Sequence, residues 1–538
     1  MLKRFALLGF VLLFILQTKA QNTPKDFLPA EFHKTRRDKV REMMPANSVT
    51  IFFANAERNR ANDVDYIYHQ DPDFYYLTGY KEPNSVLVLF SEEQTGFNGK
   101  TFNELIYVQE RDPEAEQWNG KRLGVEGVKE QLGFEMAFNG SEFSAIPVDF
   151  TSFDKVSFFD FKNDYRDKDG TEDLFDLIKT FKVKADYPVD YDATKQQLYT
   201  MITSTSVENS ANVAQTLGRY LNRYSNLKED EFLSSYVNAT DEGLRNEIKE
   251  KVLKVQKSNN LDSAIISEIM NTLRETKTDE EMVLLKKAIE ISAVGQIEVM
   301  KAMHPNMSET EIQGVHEYVY KKYGAEYEGY PSIVGGGNNG CILHYIENNK
   351  LEVGNDLVLM DLGAEYHGYT ADVTRTIPAN GKFTKEQKQI YDIVYDAQEA
   401  GIKVSVVGAP FQAPGIASNE VVAKGLLKLG IIKDISEART YFPHGTSHYL
   451  GLDVHDKGTY GPFQPNTVIT VEPGIYIPEG SDCDKKWWGI AVRIEDDILI
   501  TEEGPVNLSA MAPRTTAAIE KMMKLPSPLD DFKLPALD

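Results

Sequence analysis

The chain has 538 residues, of which 41% are hydrophobic and 11% aromatic, so it is long enough to bury two separate cores. Its 82 acidic residues outnumber the 58 lysines and arginines, which gives a formal net charge of -24 at pH 7. A surface of this sign repels nucleic-acid phosphates and anionic lipid, so neither is expected as a partner. The two cysteines, Cys341 and Cys483, are too few for a disulfide framework or a thiolate zinc site, and we expect free or buried thiols.

The first twenty residues predict an export signal. They read MLKRFALLGFVLLFILQTKA, with Lys3 and Arg4 before an apolar run over residues 5–16 and small or polar residues up to Ala20. A membrane anchor is the alternative, but a span needs roughly 20 apolar residues and this run is shorter. We therefore expect cleavage after Ala20 and an exported protein, periplasmic or secreted. No later segment is apolar enough to cross a bilayer, so no membrane partner is expected.

The half of the chain that follows the signal reads as a mixed α/β domain. Three runs rich in β-branched residues predict strands, namely SVTIFFAN, NSVLVLF and NELIYVQ. The pattern over residues 186–257 is helical and polar, and the segment KSNNLDS at residues 257–263 indicates a boundary. We assign residues 21–257 to an amino-terminal α/β domain that carries a helical insert.

The second half begins with helices whose first residues can be read from the sequence. Three pairs have the spacing of a capping box, namely Thr278 with Glu281, Ser308 with Glu311, and Thr384 with Gln387. Strand-rich stretches over residues 331–377 and 441–500 follow the first and the second pair of predicted helices. For residues 270–525 this layout predicts two pseudo-symmetric helix-helix-sheet halves, with room for a site between them.

Two aspartates are predicted to share one face of a hairpin. In VLMDLGAEYHGYTADVTRT, two strand-like arms flank His367 and Gly368. If that dipeptide is the turn, Asp361 faces Thr374 and lies diagonally from Asp372 on the same face. Like charges so close repel each other, and Asp361 follows an apolar run, where an unpartnered carboxylate is expensive to bury. A cation between the two acids removes both objections.

Two glutamates and a histidine cluster extend the candidate ligand set. Glu472 ends the strand TVITV before Pro473, and Glu495 lies with Arg493 on one face of GIAVRIEDDILI. The stretch HGTSHYLGLDVHD, residues 444–456, adds three histidines. Two aspartates, one histidine and two glutamates match the charge of two divalent ions, which carboxylates can bridge at roughly 3.5 to 4 Å. Oxygen-rich ligation favours manganese or cobalt over zinc, and the zinc-protease signature HExxH is absent from the sequence.

These motifs resemble those of the Xaa-Pro aminopeptidases, also called aminopeptidase P, within the pita-bread metallopeptidases. The resemblance rests on MDLG, TADVTRT, HGTSHYLGLDVHD, VEPGIY and VRIEDD, and on YPSIVGGGNNGCILHYIENN, GKFTKEQKQIYDIV, DFYYLTGYKEPNSVLVL and WNGKRLG elsewhere in the chain. It covers most of the sequence from about Ser48 onward. It implies an α+β protein in which an amino-terminal mixed α/β domain of the creatinase/prolidase type precedes a pita-bread catalytic domain.

The resemblance also implies a role for each candidate side chain. The implied metal ligands are Asp361, Asp372, His448, Glu472 and Glu495. The implied catalytic residues are Glu472, His455 and His344, and the implied substrate-binding residues are His344, His444, His455 and Arg493. For His444, a hydrogen-bonded position in the wall of the site is the alternative.

The implied reaction releases the amino-terminal residue from peptides with proline in second position. A metal-bridging hydroxide attacks the carbonyl before proline, Glu472 relays a proton, and His455 helps to stabilise the oxyanion. The implied cofactors are two divalent ions, with Mn²⁺ favoured and Co²⁺ or Zn²⁺ as alternatives. The implied partner is a proline-containing peptide, and we expect a homo-oligomer, dimer or higher.

Two alternative functions stay open at this point. A Xaa-Pro dipeptidase, or prolidase, needs a cationic clamp on the free carboxylate of its substrate, and Arg493 can serve as one. A non-catalytic pita-bread protein that binds peptides is disfavoured because all five ligand positions are present. A cluster of mutually repelling carboxylates is rarely kept without a metal.

Overall fold

The computed structural model describes residues 24–96, 99–145, 148–161, 173–256 and 259–530. The predicted export signal, residues 1–20, lies outside these residues. Within them, no helix combines the length and the apolar character that crossing a membrane requires. Cys341 and Cys483 are both free thiols, as the sequence predicts.

Helices and strands are numbered here in chain order. The helices are α1 Ala30–Met43, α2 Pro72–Thr78, α3 Pro113–Asn119, α4 Gly124–Leu132, α5 Leu174–Lys184, α6 Ala193–Ser204, α7 Ser210–Arg223, α8 Glu231–Asn238, α9 Glu242–Gln256, α10 Ile265–Glu275, α11 Asp279–Ala302, α12 Glu309–Tyr323, α13 Lys385–Val404, α14 Ala413–Leu429 and α15 Thr516–Met522. The strands are β1 Ser48–Phe53, β2 Asn59–Ala61, β3 Val64–Asp65, β4 Val86–Thr95, β5 Thr101–Val108, β6 Ala137–Asn139, β7 Lys155–Phe158, β8 Leu261–Asp262, β9 Tyr327–Glu328, β10 Ile333–Gly336, β11 Leu357–Leu362, β12 Ala364–Tyr366, β13 Tyr369–Thr370, β14 Val373–Pro378, β15 Val468–Val471, β16 Gly474–Ile477, β17 Ile490–Arg493, β18 Asp496–Thr501 and β19 Gly504–Asn507.

A six-stranded sheet organises the amino-terminal part of the chain, in the order β6-β5-β4-β1-β7-β8. Its central strand β1 pairs antiparallel with β4 and parallel with β7. Alternate residues of these strands point to opposite faces, and both faces are buried. Val49 and Val88 pack in one core, whereas Phe52 and Leu87 pack in another. The three predicted strands are confirmed as β1, β4 and β5.

The predicted helical insert lies between two neighbouring strands of that sheet. Helices α6 to α9 pack around a small core of their own, which includes Leu217 and Tyr236. The chain then returns to the sheet at β8, which pairs in parallel with β7. The segment 257–263, interpreted from the sequence as a boundary, therefore contains the returning strand. The domain limits 21–257 and 270–525 stay predictions.

A buried cluster of charged side chains joins the amino-terminal and carboxyl-terminal parts of the chain. Asp73 of α2 accepts hydrogen bonds from Arg274 of α10 at 2.8 Å and from Lys457 at 2.6 Å. Asp456 accepts one from Lys277 at 3.0 Å and also contacts Arg274. We call these five residues the interdomain cluster. It fixes the loop that follows the last histidine of HGTSHYLGLDVHD against the amino-terminal domain.

Two packed helix pairs precede the sheets of the carboxyl-terminal part, with α11 on α12 and α13 on α14. Thr278 and Thr384 begin α11 and α13 with the predicted capping boxes. Ser308 caps α12 by accepting the Glu311 N–H at 3.0 Å. A three-stranded sheet follows each pair, β10-β11-β14 after the first and β15-β18-β19 after the second. The predicted arrangement of two helix-helix-sheet halves is therefore confirmed.

The predicted hairpin is present with the predicted register. Asp361 of β11 lies opposite Thr374 of β14, and the chain reverses through β12 and β13 at His367 and Gly368. Both turn residues have positive φ, 52° and 90°, as a tight hairpin turn of this kind requires. Asp372 falls immediately before β14, close to Asp361.

Two strand interruptions place glutamates where neighbouring sheets meet. The run VITVEPGIYI forms β15 and β16, which belong to different sheets, with Glu472 and Pro473 between them. The run IAVRIEDDILI also divides, into β17 and β18, with Ile494 and Glu495 between them. The sequence places Arg493 and Glu495 on one face of that second run, and the structure interrupts the strand between these two residues. The chain passes from one sheet to the other at this point, and the Glu495 N–H donates to the Thr374 carbonyl instead of continuing β17.

Candidate metal centre

A cavity of about 670 Å³ is lined by side chains of both halves. Its lining includes every residue that the sequence assigns to the site: Asp361, Asp372, His448, Glu472, Glu495, His344, His444, His455 and Arg493. These residues come from β11, from the ends of β14, β15 and β17, and from the loops around them. The fold therefore brings together acids and histidines that lie up to 151 positions apart in the chain.

His448 lies among the acidic side chains. Its Nε2 atom is 3.5 Å from an oxygen of Asp372, 3.7 Å from one of Glu472 and 4.0 Å from one of Glu495. Its Nδ1 atom lies 3.0 Å from the carbonyl oxygen of Tyr449. Because that carbonyl can only accept, Nδ1 carries the proton and the Nε2 lone pair points toward the carboxylates. The imidazole thus has the orientation of a metal ligand.

Tyr330 contacts both aspartates of the hairpin. Its hydroxyl oxygen is 2.6 Å from Asp361 and 2.5 Å from Asp372. Burial raises the pKa of Asp361, but the charge of Arg493 and the Tyr330 bond outweigh it, so this pKa lies below its usual range. Burial, followed by the charges of Asp361 and Asp497, raises the pKa of Asp372 well above its usual range. The two neighbouring aspartates therefore have opposite electrostatic environments.

The pKa values of the two glutamates are raised as well. Burial raises the pKa of Glu472 to about 7. Burial and the charges of Asp372 and Glu472 raise the pKa of Glu495 well above its usual range. The Thr374 hydroxyl donates to Glu495 at 2.6 Å and fixes the direction of that carboxylate. A cluster of acids that resist ionisation in this way is the arrangement that bound cations neutralise.

The donor set fits divalent metal ions. Asp372, His448 and Glu495 offer ligand atoms that all lie within 4.8 Å of one another. Asp361 borders this group through Tyr330, and Glu472 borders it through His448. Carboxylate oxygens and one imidazole nitrogen form a hard, oxygen-rich set, and four carboxylates match the charge of two divalent ions.

Arg493 lines the cavity with its guanidinium group fully engaged. It donates to the Tyr476 hydroxyl at 2.9 Å and to the Thr374 hydroxyl at 3.3 Å, and it contacts Asp361. The side chain is almost wholly buried, with 4% exposed. Its position suits it to orient and neutralise Asp361. Because each guanidinium nitrogen already contacts a side chain of the protein, Arg493 is poorly placed to clamp a substrate carboxylate as a dipeptidase requires.

His444 forms part of the wall beside Glu472. Its Nε2 atom is 2.8 Å from the Tyr476 hydroxyl, and its Nδ1 atom is 2.6 Å from the Gly445 carbonyl oxygen. The distance from Nδ1 to Glu472 is 3.5 Å. Burial and the positive charge of Arg493 lower the pKa of His444 to about 4, so the ring is neutral near pH 7. These contacts support the alternative of a hydrogen-bonded wall residue.

His455 and His344 complete the histidine lining. The ring of His455 meets that of His448 edge to face, with centroids 4.3 Å apart. Burial and the neighbouring His448 lower the pKa of His455 and favour its neutral form. His344 is exposed and lines the cavity beside Leu343 and Ile346. Both rings are free to contact a peptide that enters the cavity.

Three hydroxyl side chains of the site are absent from the sequence prediction. Tyr330 bridges Asp361 and Asp372, Tyr476 connects Arg493 with His444, and Thr374 donates to Glu495. Tyr476 lies in an apolar strand, where such residues usually belong to a core, and Tyr330 lies between Gly329 and Pro331, a pattern typical of a turn. Of these three residues, only Thr374 had a signal in the sequence, because the predicted register places it opposite Asp361.

Sequence comparison identifies relatives of both parts of the chain. The profile of metallopeptidase family M24 matches residues 283–502, and that of the amino-terminal domain of aminopeptidase P matches residues 33–154. A Xaa-Pro aminopeptidase of Escherichia coli is 34% identical over 508 residues, which cover 92% of this chain and 97% of that protein. One of Haemophilus influenzae is 32% identical, with 92% and 98% covered.

Solved structures agree with these relationships. Escherichia coli aminopeptidase P with the inhibitor Pro-Leu has a TM-score of 0.71 at 31% identity, covering 92% of this chain and 98% of that one. Pseudomonas aeruginosa aminopeptidase PepP has a TM-score of 0.71 at 29% identity, covering 93% and 99%. The expected fold, an amino-terminal α/β domain before a pita-bread catalytic domain, is confirmed. The chain is a metal-dependent aminopeptidase of metallopeptidase family M24 and belongs to the Xaa-Pro aminopeptidases.

Proposed function

We propose that the cavity binds two divalent ions and that the enzyme releases the amino-terminal residue from peptides with proline in second position. The proposed ligands are Asp361, Asp372, His448, Glu472 and Glu495. The observation that carries the proposal is the convergence of these five side chains on one cavity in which three of the acids resist ionisation. The names of the relatives, which are Xaa-Pro aminopeptidases, support the choice of substrate.

The side chains of the cavity suggest how the chemistry is divided. Bound divalent ions supply Lewis acidity at the scissile peptide bond. Glu472 lines the cavity beside His448 and can take up a proton and return it to the leaving nitrogen. His455 can donate a hydrogen bond to the peptide oxygen as negative charge develops there. Arg493 keeps Asp361 ionised and oriented throughout.

Selectivity for proline is supported by the apolar part of the cavity. Leu343, Ile346 and Val454 line it together with His344 and His455. A bond before proline lacks the N–H that most peptidases bind, so recognition must come from the shape of the ring. We assign the pyrrolidine ring to this apolar wall, where His344 lies beside it.

Mn²⁺ is the proposed resident metal, with Co²⁺ or Zn²⁺ as alternatives. Its support is the chemistry of the ligands, four carboxylates and one imidazole without a thiolate, which suits manganese better than zinc. Metal analysis of protein purified without chelators should give about two equivalents of one divalent ion. Less than one equivalent, with no activity after addition of Mn²⁺ or Co²⁺, would contradict the proposal.

Peptide hydrolysis tests the reaction itself. Purified protein with Mn²⁺ should release arginine from Arg-Pro-Pro and should leave Gly-Pro uncut. The Glu472→Gln variant should lower kcat on Arg-Pro-Pro by about 10²- to 10⁴-fold, because it removes the proton relay. The matched control is Glu420→Gln, an exposed glutamate on α14 that faces Lys424. Cleavage of the dipeptide alone would establish a prolidase in place of an aminopeptidase.

Three further properties are proposals as well. The sequence of residues 1–20 supports export to the periplasm or beyond, which a mature protein beginning after Ala20 would establish.

Exposed apolar side chains at Tyr66 and Ile67, with 60% and 84% of their surface accessible, support a homo-oligomer. Limited proteolysis that yields fragments near residues 257 to 270 would support the proposed domain limits.

A further inference from the structure

A second cavity of about 540 Å³ continues from the active-site cavity. The two cavities share His444, Gly445 and Ser447, so this strip of backbone is the floor common to both. The first turns of α14 and the loop before it form the remaining wall. We call this second cavity the side groove.

The side groove offers contacts of the kind that an extended peptide uses. Phe411 and Ile416 provide apolar surface, and Ile416 is 68% exposed although it lies beside the active site. Asn419 lines the same wall; its side-chain nitrogen donates to the Gly415 carbonyl at 2.7 Å, and its side-chain oxygen remains to accept a peptide N–H. In the shared strip, the Ser447 hydroxyl has no hydrogen-bond partner among the described residues. The groove thus combines exposed apolar surface with one amide oxygen acceptor, and the shared strip contains a buried hydroxyl without a partner among the described residues.

Arg439 supplies a positive charge at the edge of the side groove. Its guanidinium makes a long hydrogen bond of 3.4 Å to the Pro443 carbonyl, and it forms no ion pair with any residue that the structure describes. Arg493, by contrast, is buried and bound to Asp361. Of the two arginines that line these cavities, Arg439 is therefore the one available to an incoming carboxylate.

The reaction and the charges of the two cavities indicate where the rest of the peptide lies. An aminopeptidase takes one residue before the scissile bond, so the rest of the peptide must leave the acidic cavity on the other side. We propose that it leaves through the side groove, and that Arg439 binds the terminal carboxylate of short peptides there. Extended peptide advances about 3.3 Å per residue, so free acids of increasing length place the terminal carboxylate at increasing distances from the scissile bond. This inference rests on the proposed function and names its substrate class as short peptides with a free carboxylate.

Kinetics on matched peptides tests the role of Arg439. Arg-Pro-Pro, Arg-Pro-Pro-Ala and Arg-Pro-Pro-Ala-Ala are compared as free acids and as carboxyl-terminal amides. For at least one length, the wild type should have a KM about tenfold lower for the acid, since a charge-assisted pair is lost in the amide. Arg439→Gln should remove that difference by raising the KM for the acid alone, with kcat changed less than about twofold because the proton relay is untouched. Arg439→Lys should restore part of the preference.

Binding measurements separate this inference from the proposed reaction. In the Glu472→Gln background, calorimetry of the same peptides should give tighter binding of the acid, and adding Arg439→Gln should abolish the difference. Lys424→Gln, on the exposed face of α14, is the control and should leave both values unchanged. Equal binding of acid and amide at every length overturns the inference. A wild type that cleaves none of the peptides, yet shows the binding difference, overturns the proposed reaction and leaves the groove assignment intact.

Discussion

The active-site cluster and the interdomain cluster are both buried groups of charged residues, but their charges are balanced differently. In the interdomain cluster, Asp73 and Asp456 face Arg274, Lys277 and Lys457. Burial raises the pKa of Asp456, but Arg274 and Lys277 outweigh it, so the acid stays ionised. The chain itself supplies every counter-charge that this cluster needs.

In the active site, one guanidinium and one imidazole face four carboxylates. Only Asp361 has an arginine partner, and its pKa is lowered, whereas the pKa values of Asp372, Glu472 and Glu495 are raised. Burial alone therefore does not distinguish a structural cluster from a functional one. What differs between these two clusters is the supply of cations within the chain, which lowers the pKa of Asp456 and leaves those of Asp372 and Glu495 raised.

The largest expected effect comes from removing one acid of the active-site cluster. Glu495→Gln should lower activity by more than about 100-fold, because it removes a proposed metal ligand. The same change should raise the melting temperature of chelator-treated protein, since it relieves repulsion among the buried carboxylates. Assays with Mn²⁺ and thermal unfolding in a chelator measure the two effects. A lower melting temperature of the metal-free variant would contradict this view of the cluster.

The same chemical change in the interdomain cluster should have the opposite effect on stability. Asp456→Asn leaves Arg274 and Lys277 facing a neutral amide, and breaking a buried ion pair in this way costs about 3 to 5 kcal/mol. We expect a lower melting temperature both with metal and without it. Asp392→Asn, in an exposed pair with Lys388 on α13, is the matched control. A stabilised Asp456→Asn protein would erase the contrast between the two clusters.

The pH dependence of the metal-free protein should also follow the active-site cluster. The folded-state pKa of Glu472 is raised from 4.5 to about 7, so the folded protein binds more protons than the unfolded chain across that range. Its contribution to stability is complete below the unfolded pKa and is lost as the pH rises through about 7. Metal-free protein should therefore melt at a lower temperature at pH 8 than at pH 5.5. Glu472→Gln should reduce this slope, and an unchanged slope would mean that other groups cause it.

The smallest effect is expected at the surface. Lys388 lies 2.7 Å from Asp392 one helical turn away, and both side chains are about half exposed. Such pairs contribute about 0.3 to 0.5 kcal/mol and are screened by salt. Lys388→Ala should change the melting temperature by less than about 1 °C. A shift as large as that of Asp456→Asn would show that exposure does not decide the strength of these pairs.

The hairpin shows how much of the site local pattern can predict. The alternation of side chains along two arms and a two-residue turn fixed the register, and Asp361 does lie opposite Thr374. Pro473 marked the end of a strand correctly and so placed Glu472. These predictions succeed because strand geometry is local. The separate roles of the four histidines were implied by the family resemblance, because spacing alone does not reveal which ring nitrogen contacts a carbonyl.

The features that the sequence did not predict depend on contacts between distant segments. The break at Ile494 and Glu495 has no turn residue to mark it, and there the Glu495 N–H donates to the carbonyl of Thr374, more than a hundred residues earlier. Tyr330 likewise reads as an ordinary turn residue until the fold brings two aspartates to its hydroxyl. Strand β8 has two residues, too few for any periodic signal, and only its partner β7 identifies it.

The position of β8 has a consequence for how this protein can change. Strands β7 and β8 are parallel neighbours, so the segment between them is a crossover that leaves the carboxyl end of β7 and re-enters the sheet at the amino end of β8. Helices α6 to α9 lie within this crossover and pack around an apolar core of their own. A replacement of helices α6 to α9 by an unrelated folded domain, with α5 kept in the crossover, need not move any residue of the catalytic cavity. The connection between β7 and β8 is therefore a position at which evolution or engineering can add new surface to an unaltered enzyme.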